Sequence, residues 1–212
     1  MIRVYLDIET YSKGDEPSVN DKVIAIGVME GGPSGQKLFT EWGYGGERDV
    51  ISKFYKELRM YSEQRATVIG FNILRFDIPI LSFKGVKYEV GGAQKMYDLW
   101  HNLFVIDYLQ VALPLKGMMF KGLTLAYLAK LLREKGVANV PKKKEKGKVI
   151  KTLYERKRFE EIEKHLITDL EIIRLVDQNN EMLFRGTSPR FRGRSILKGG
   201  ASGSSRTRLP RR

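Results

Sequence analysis

The sequence predicts an α/β fold, a mixed sheet of about five strands flanked by helices. Three observations carry that expectation. Alternating, β-branched runs dominate the first part of the chain, amphipathic helical spacing fills the last part, and between them the two patterns interleave.

The elements follow in order. Ile2 to Ile8 reads as a first strand and Val23 to Met29 as a second. The turn GGPSG then leads to a third at about Lys37 to Trp42, an antiparallel hairpin. From Glu47 to Gln64 the spacing is helical, with Val50, Ile51, Phe54, Leu58 and Tyr61 on one face. The apolar run ATVIGFN reads as a buried fourth strand. Ile78 to Phe83 forms a short helix that tolerates Pro79 in its first turn. Phe104 to Leu109 is the fifth strand and Leu123 to Arg133 a helix; Glu155 to Leu183 is helical with at most one break. After Phe184 the chain turns rich in Gly, Ser and Arg with almost nothing to bury. The expected organisation is one domain over 1–184 and a basic tail over 185–212, disordered when free.

Composition removes several classes of function. At 212 residues the chain can bury one sizeable core. With no cysteine there is no disulfide framework, thiolate zinc site or thiol nucleophile. No apolar run reaches the roughly 18 residues of a membrane span. Asp7 interrupts the N-terminus before a signal-peptide core can form, so the expectation is a soluble, cytoplasmic protein. The net charge is +13, and nine basic and no acidic residues lie in 185–212, leaving 29 basic against 25 acidic elsewhere. A second cluster, Pro141 to Lys151, carries six Lys and one Glu. Such a pattern calls for a polyanionic partner; the alternative is a solubilising tail and a solvated loop.

Acids set among apolar residues are the informative positions, because ionised carboxylates resist burial without compensation. Asp7 and Glu9 end the first strand two residues apart, so they project side by side. They are either a solvated pair at a strand end or cation ligands. Asp77 follows the fourth strand between apolar neighbours, as a helix cap or a ligand. Asp169 lies on the apolar stripe Ile162, Leu166, Ile173, Val176, one turn from His165. A buried ion pair for Asp169 and a satisfied core position for His165 are the structural alternatives. Four converging carboxylates would repel one another without divalent cations, and hard oxygen ligands suit Mg²⁺ or Mn²⁺. Two such ions about 4 Å apart are a known device for phosphodiester cleavage.

At these motifs the sequence resembles the DEDD (DnaQ-like) 3′–5′ exonuclease superfamily, of ribonuclease H-like fold, and within it the proofreading domains of family-B DNA polymerases. Asp7-Ile8-Glu9-Thr10 matches the first motif, Asn72 through Phe76 and Asp77 to Leu81 the second, and His165 with Asp169 the third. Gly122 to Ala129 resembles the helix that precedes the third motif. The resemblance covers about residues 1–183. It departs at His165, a histidine at the spacing of the tyrosine branch; the histidine branch places its residue one position earlier, where Lys164 stands.

The resemblance implies that Asp7, Glu9, Asp77 and Asp169 hold two divalent cations, Mg²⁺ or Mn²⁺, with His165 serving the attacking water. Thr10, Asn72 and Phe76 would grip the terminal nucleotides, Phe76 by stacking. Lys142, Lys143, Lys144, Arg190, Arg192 and Arg194 would hold the strand electrostatically, and Phe191 would add a stacking contact or dock on the protein. The implied activity is a stand-alone exonuclease that shortens single-stranded DNA from its 3′ end to nucleoside 5′-monophosphates. The chain is too short to hold a polymerase as well, so a replication or repair partner would be met in trans. The alternatives are an RNA-processing 3′–5′ exoribonuclease, a catalytically weak nucleic-acid-binding subunit, and a structure-specific endonuclease on the same fold.

Overall fold

The computed structural model describes residues 2–12, 14, 18–143 and 148–185. Five strands, β1 (Arg3–Tyr11), β2 (Lys22–Glu30), β3 (Gln36–Thr40), β4 (Thr67–Gly70) and β5 (Phe104–Asp107), form one sheet in the order β3-β2-β1-β4-β5. The β1–β2 and β2–β3 pairs are antiparallel, and β1–β4 and β4–β5 are parallel. The helices are α1 (Glu41–Tyr44), α2 (Glu47–Glu63), α3 (Asp77–Lys87), α4 (Ala93–His101), α5 (Tyr108–Val111), α6 (Leu125–Glu134), α7 (Lys148–Glu155), α8 (Phe159–Gln178) and α9 (Asn180–Phe184). This is the mixed α/β sheet that the sequence predicts.

Alternation along β1 builds three layers. Val4, Leu6 and Ile8 turn to a core filled from α2, α3 and α4, while Tyr5 turns to a core shared with α5, α6 and α8. Asp7 and Glu9 share the parity of Tyr5 and so face α8. The β1–β2 register shifts between Glu9 and Thr10, leaving Ile24 without a cross-strand partner. That bulge explains why Val23, three residues before Ile26, lies on the same side of the sheet as Ile26 and Val28.

Helix α8 runs antiparallel to β1 with matched pitch. Four helical residues rise about 6 Å and two strand residues about 6.6 Å, so each step of four along α8 keeps pace with a step of two along β1. His165 bonds Glu9, Asp169 faces Asp7, Ile173 packs with Tyr5, and Asp177 bonds Arg3. Asp177 is buried and fully engaged, accepting from Arg3 Nε at 2.8 Å, Tyr108 Oη at 2.8 Å and Tyr5 Oη at 3.0 Å. It is a structural anchor for α8. A second buried ion pair, Lys84 Nζ to Glu47 Oε1 at 2.6 Å, ties α3 to α2.

Several expectations need correction. The third strand ends at Thr40; Trp42 lies in α1, which Thr40 caps by accepting from Gly43 N. The fifth strand stops at Asp107, whose side chain caps α5. The run expected as a loop from Lys142 to Lys151 enters α7 at Lys148, and the short helix expected over Ile78 to Phe83 extends over Asp77–Lys87. The late helix, expected over Glu155 to Leu183 with at most one break, is interrupted twice: residues 156–158 separate α7 from α8, and Asn179 separates α8 from α9. The 185–212 tail lies outside the described residues apart from Arg185.

Candidate metal centre

The site is built where β1 ends against α8. Glu9 Oε1 lies 2.8 Å from His165 Nδ1, and His165 Nδ1 lies 3.8 Å from Asp169 Oδ2. Glu9, His165 and Asp169 each offer a ligand atom, all within 4.8 Å of one another. Asp7, on the same face of β1, feels Asp169, Asp77 and Glu9. Asp77, at the first turn of α3, is buried and accepts a hydrogen bond from Ile8 N at 3.1 Å. Asp77 is the first residue of α3 rather than its N-cap, and its carboxylate reaches across to β1.

Crowding of like charges in a desolvated cleft shows in the proton affinities. Burial, then Asp169, Asp77 and Glu9, holds the Asp7 carboxyl well above its ordinary range, with Lys143 pulling the other way. Burial also raises Glu9, against the hydrogen bond from His165. Asp77 is pushed up to about 8, chiefly by burial, although backbone N–H groups oppose the shift. The hydrogen bond to Glu9 raises His165, with desolvation opposing it. A carboxylate only accepts, so with Glu9 ionised the shared proton belongs to His165 Nδ1, which leaves Nε2 as the basic nitrogen of the neutral ring.

The two carboxylate oxygens of Asp169 differ in their surroundings. Its Oδ2 is ion-paired with Lys143, on the segment before α7, so the structural alternative is present. Its Oδ1 is buried and has no hydrogen-bond partner among the described residues. A buried carboxylate oxygen without a donor costs free energy unless a cation meets it. Among the described residues, one ammonium beside Asp7, Glu9, Asp77 and Asp169 leaves the cluster under-compensated, and an oxygen-rich donor set suits a hard divalent ion. The residues present fit such an ion.

The other expected positions fall as follows. Thr10 is half-buried at the end of β1. Asn72 is half-buried at φ 67, in the left-handed region. Phe76 is half-buried and packs partly on the α2 side of the core. Lys142 is exposed, and Lys144, Arg190, Phe191, Arg192 and Arg194 lie outside the described residues.

Asp107 was not anticipated. It is buried at the end of β5 and accepts from Asn72 N at 2.7 Å, Leu74 N at 3.1 Å and Leu109 N at 2.9 Å. It therefore fixes the loop that carries Asn72 and Phe76. The signal was available, since Phe104-Val105-Ile106-Asp107 is an acid closing an apolar strand, as Asp7 nearly closes β1.

With this geometry established, comparison with known proteins decides the family. The model of the RNase_H superfamily matches residues 4–156, more than half of the chain. The chain belongs to the RNase_H superfamily. Among solved structures, it is similar to the family B DNA polymerase from the hyperthermophilic archaeon Pyrobaculum calidifontis. The TM-score is 0.62 at 20% identity, covering 84% of this chain and 24% of that one. At that identity the likeness is one of fold, and the chain spans about a quarter of the polymerase's length. No curated protein matches. The resemblance carried by the three motifs is met in superfamily and in fold, and this RNase_H superfamily member is a nuclease-type domain with an acidic cluster fit for divalent metal. Among the described residues no helix is long and apolar enough to cross a membrane.

Proposed function

We propose that this chain is a metal-dependent 3′–5′ exonuclease that removes nucleoside 5′-monophosphates from single-stranded DNA ends. The observation that carries the reading is the meeting of Glu9, His165 and Asp169 within 4.8 Å, beside Asp7 and Asp77, with Asp169 Oδ1 buried and unpartnered among the described residues. Asp7, Glu9 and Asp169 would hold one cation, and Asp7 with Asp77 the second. Divalent ions supply an activated water and stabilisation of the leaving oxygen. His165 holds its proton at Nδ1 against Glu9 and takes one from the water at Nε2, while Glu9 fixes the ring. Thr10 and Asn72 orient the terminal nucleotide, and the half-buried Phe76 ring offers a stacking face. Lys142 and the basic residues beyond the described chain draw in phosphate without reading sequence.

The polymerase likeness favours DNA and a replication or repair setting for this activity. A second reading, binding without useful turnover, has one observation in its favour: the Lys143 ammonium already neutralises Asp169. One experiment separates these. Strands labelled at the 3′ or the 5′ end, as DNA and as RNA, are incubated with Mg²⁺, Mn²⁺ or EDTA. Metal-dependent shortening from the 3′ end, faster on DNA and absent in Asp7→Ala, is expected. Faster RNA shortening reassigns the substrate. Salt-sensitive binding with no cleavage under any metal leaves the binding subunit, and cleavage of closed single-stranded circles points to an endonuclease.

A further inference from the structure

The turn between α5 and α6 breaks an ordinary rule of surfaces. Met118, Met119 and Phe120 are adjacent and exposed by 53%, 61% and 44%. Soluble proteins rarely display consecutive large apolar side chains without use for them. The turn is held in place. Gly117 and Met118 both adopt left-handed backbone, and Met118 N donates to Leu113 O at 2.9 Å while Leu123 N donates to Phe120 O at 3.0 Å. Left-handed backbone is strained for methionine, and such strain marks functional segments when the surroundings fix it.

Its position is set by topology. The carboxyl ends of the parallel strands β1, β4 and β5 lie on one edge of the sheet, the edge where α/β proteins place ligands. Along that edge come the acidic cluster on the last half of β1, the 71–76 loop after β4, and the turn beyond β5. The last two touch, since the Arg75 guanidinium lies over the Phe120 ring at 4.9 Å. Leu74, beside Arg75, is also exposed. The same loop, pinned by Asp107, leads directly into Asp77. Charge completes the picture: the charged residues of 71–76 and 113–125 are Arg75, Lys116 and Lys121, with no acid among them, and the Lys116 ammonium lies over the Tyr127 ring at 4.0 Å.

We propose that Met119 and Phe120, with Leu74 and Arg75, form a stacking platform for an unpaired nucleic-acid strand behind the end held at the acidic cluster. This rests on the nuclease reading for the strand's polarity. Bases would lie against the ring, thioether and guanidinium faces, which accept any base, and Lys116 and Lys121 would meet phosphates. The charge pattern selects nucleic acid over an apolar protein surface.

The test is binding by the full chain, with calcium as the cation, to a long oligothymidylate and to a trinucleotide. The Met119→Ser/Phe120→Ser double variant is compared with wild type after thermal melts show that both fold. The preference for the long strand over the short one should shrink about tenfold in the variant. In the wild type, 2-aminopurine walked back from the 3′ end should be quenched at an internal position as well as at the terminus. An unchanged preference, or quenching confined to the terminal nucleotides, overturns the platform. A dimer present in wild type and lost in the variant gives the patch to a second copy of the chain and also overturns it. Should wild type shorten strands while the preference is unchanged, the platform falls and the exonuclease reading stands. A reduced preference without cleavage under any metal gives the reverse.

Discussion

Burial has pushed the Asp77 carboxyl up to about 8 and raised Asp7, and the hydrogen bond to Glu9 has raised His165, which has a consequence for stability. An acid whose folded affinity for protons exceeds its unfolded one keeps a proton that the unfolded chain has lost. Stability of the metal-free protein is therefore lost as pH rises from about 4 to about 8. For His165 the contribution present below about 6.5 is likewise lost as pH rises through its raised value. Thermal melts in EDTA should fall across that window, and added Mn²⁺ should raise the melting temperature more at pH 8 than at pH 5. Asp77→Asn keeps an acceptor for Ile8 N–H and removes the charge. It should melt higher than wild type at pH 8 without metal, yet hydrolyse strands at least about a hundredfold more slowly. Lys143 competes with a metal for Asp169, so Lys143→Met should lower the Mn²⁺ concentration for half-maximal hydrolysis by about tenfold. Asp7, Glu9 and Asp169 were legible in the sequence because each is an acid on a face whose neighbours are buried. Lys143 was legible only as one of a lysine run. Its partner lies 26 residues away on another element, and no local pattern encodes that contact.

At the scale of elements, the pairing of β1 with α8 is what brings the site together, and Gly27 permits it. Gly27 stands opposite Asp7 on β2, and a Cβ there would lie 2.8 Å from Leu170 Cδ1 and 2.9 Å from Leu166 Cγ. Both leucines are fully buried on α8, between and beside His165 and Asp169. Gly27→Ala should cost about 1–3 kcal/mol in denaturant unfolding by overpacking. By lifting Asp169 away from Asp7 it should also slow hydrolysis by tenfold or more, on the order of what a 1 Å misplacement costs. A variant with normal stability and rate would mean that α8 does not rest on this strand as described. The long helices and all five strands were readable because their apolar spacing is strong. Four helices escaped: the single turns α1 and α5 fall at the ends of runs read as strands, α4 buries only Met96 and Trp100, and α7, entering from the lysine run, buries Ile150 and Leu153 among its described side chains. Two buried residues per element leave too little periodicity to separate a helix from a loop.

For the whole molecule, the excess of +13 governs how substrate is gathered. Affinity for a single strand should fall linearly on a log–log salt plot, with a slope of about −0.7 for each phosphate neutralised. Residues 186–212 carry eight of the cations, so truncation after Arg185 should flatten that slope while leaving metal-dependent cleavage intact. An unchanged slope would assign the tail some task other than holding strand. The polarity of the sheet places the carboxyl ends of β1, β4 and β5, and with them the acids, the Asn72 loop and the turn beyond β5, along one edge. Asp7, Glu9, Asp77 and Asp169 are expected to form a two-cation centre. Calorimetric titration with Mn²⁺ of wild type against Asp7→Ala tests it most directly. Two ions per chain in wild type, with binding weakened at both sites in the variant, is the result expected. A wild type that binds no Mn²⁺, or a variant that binds it as well as wild type does, would contradict it.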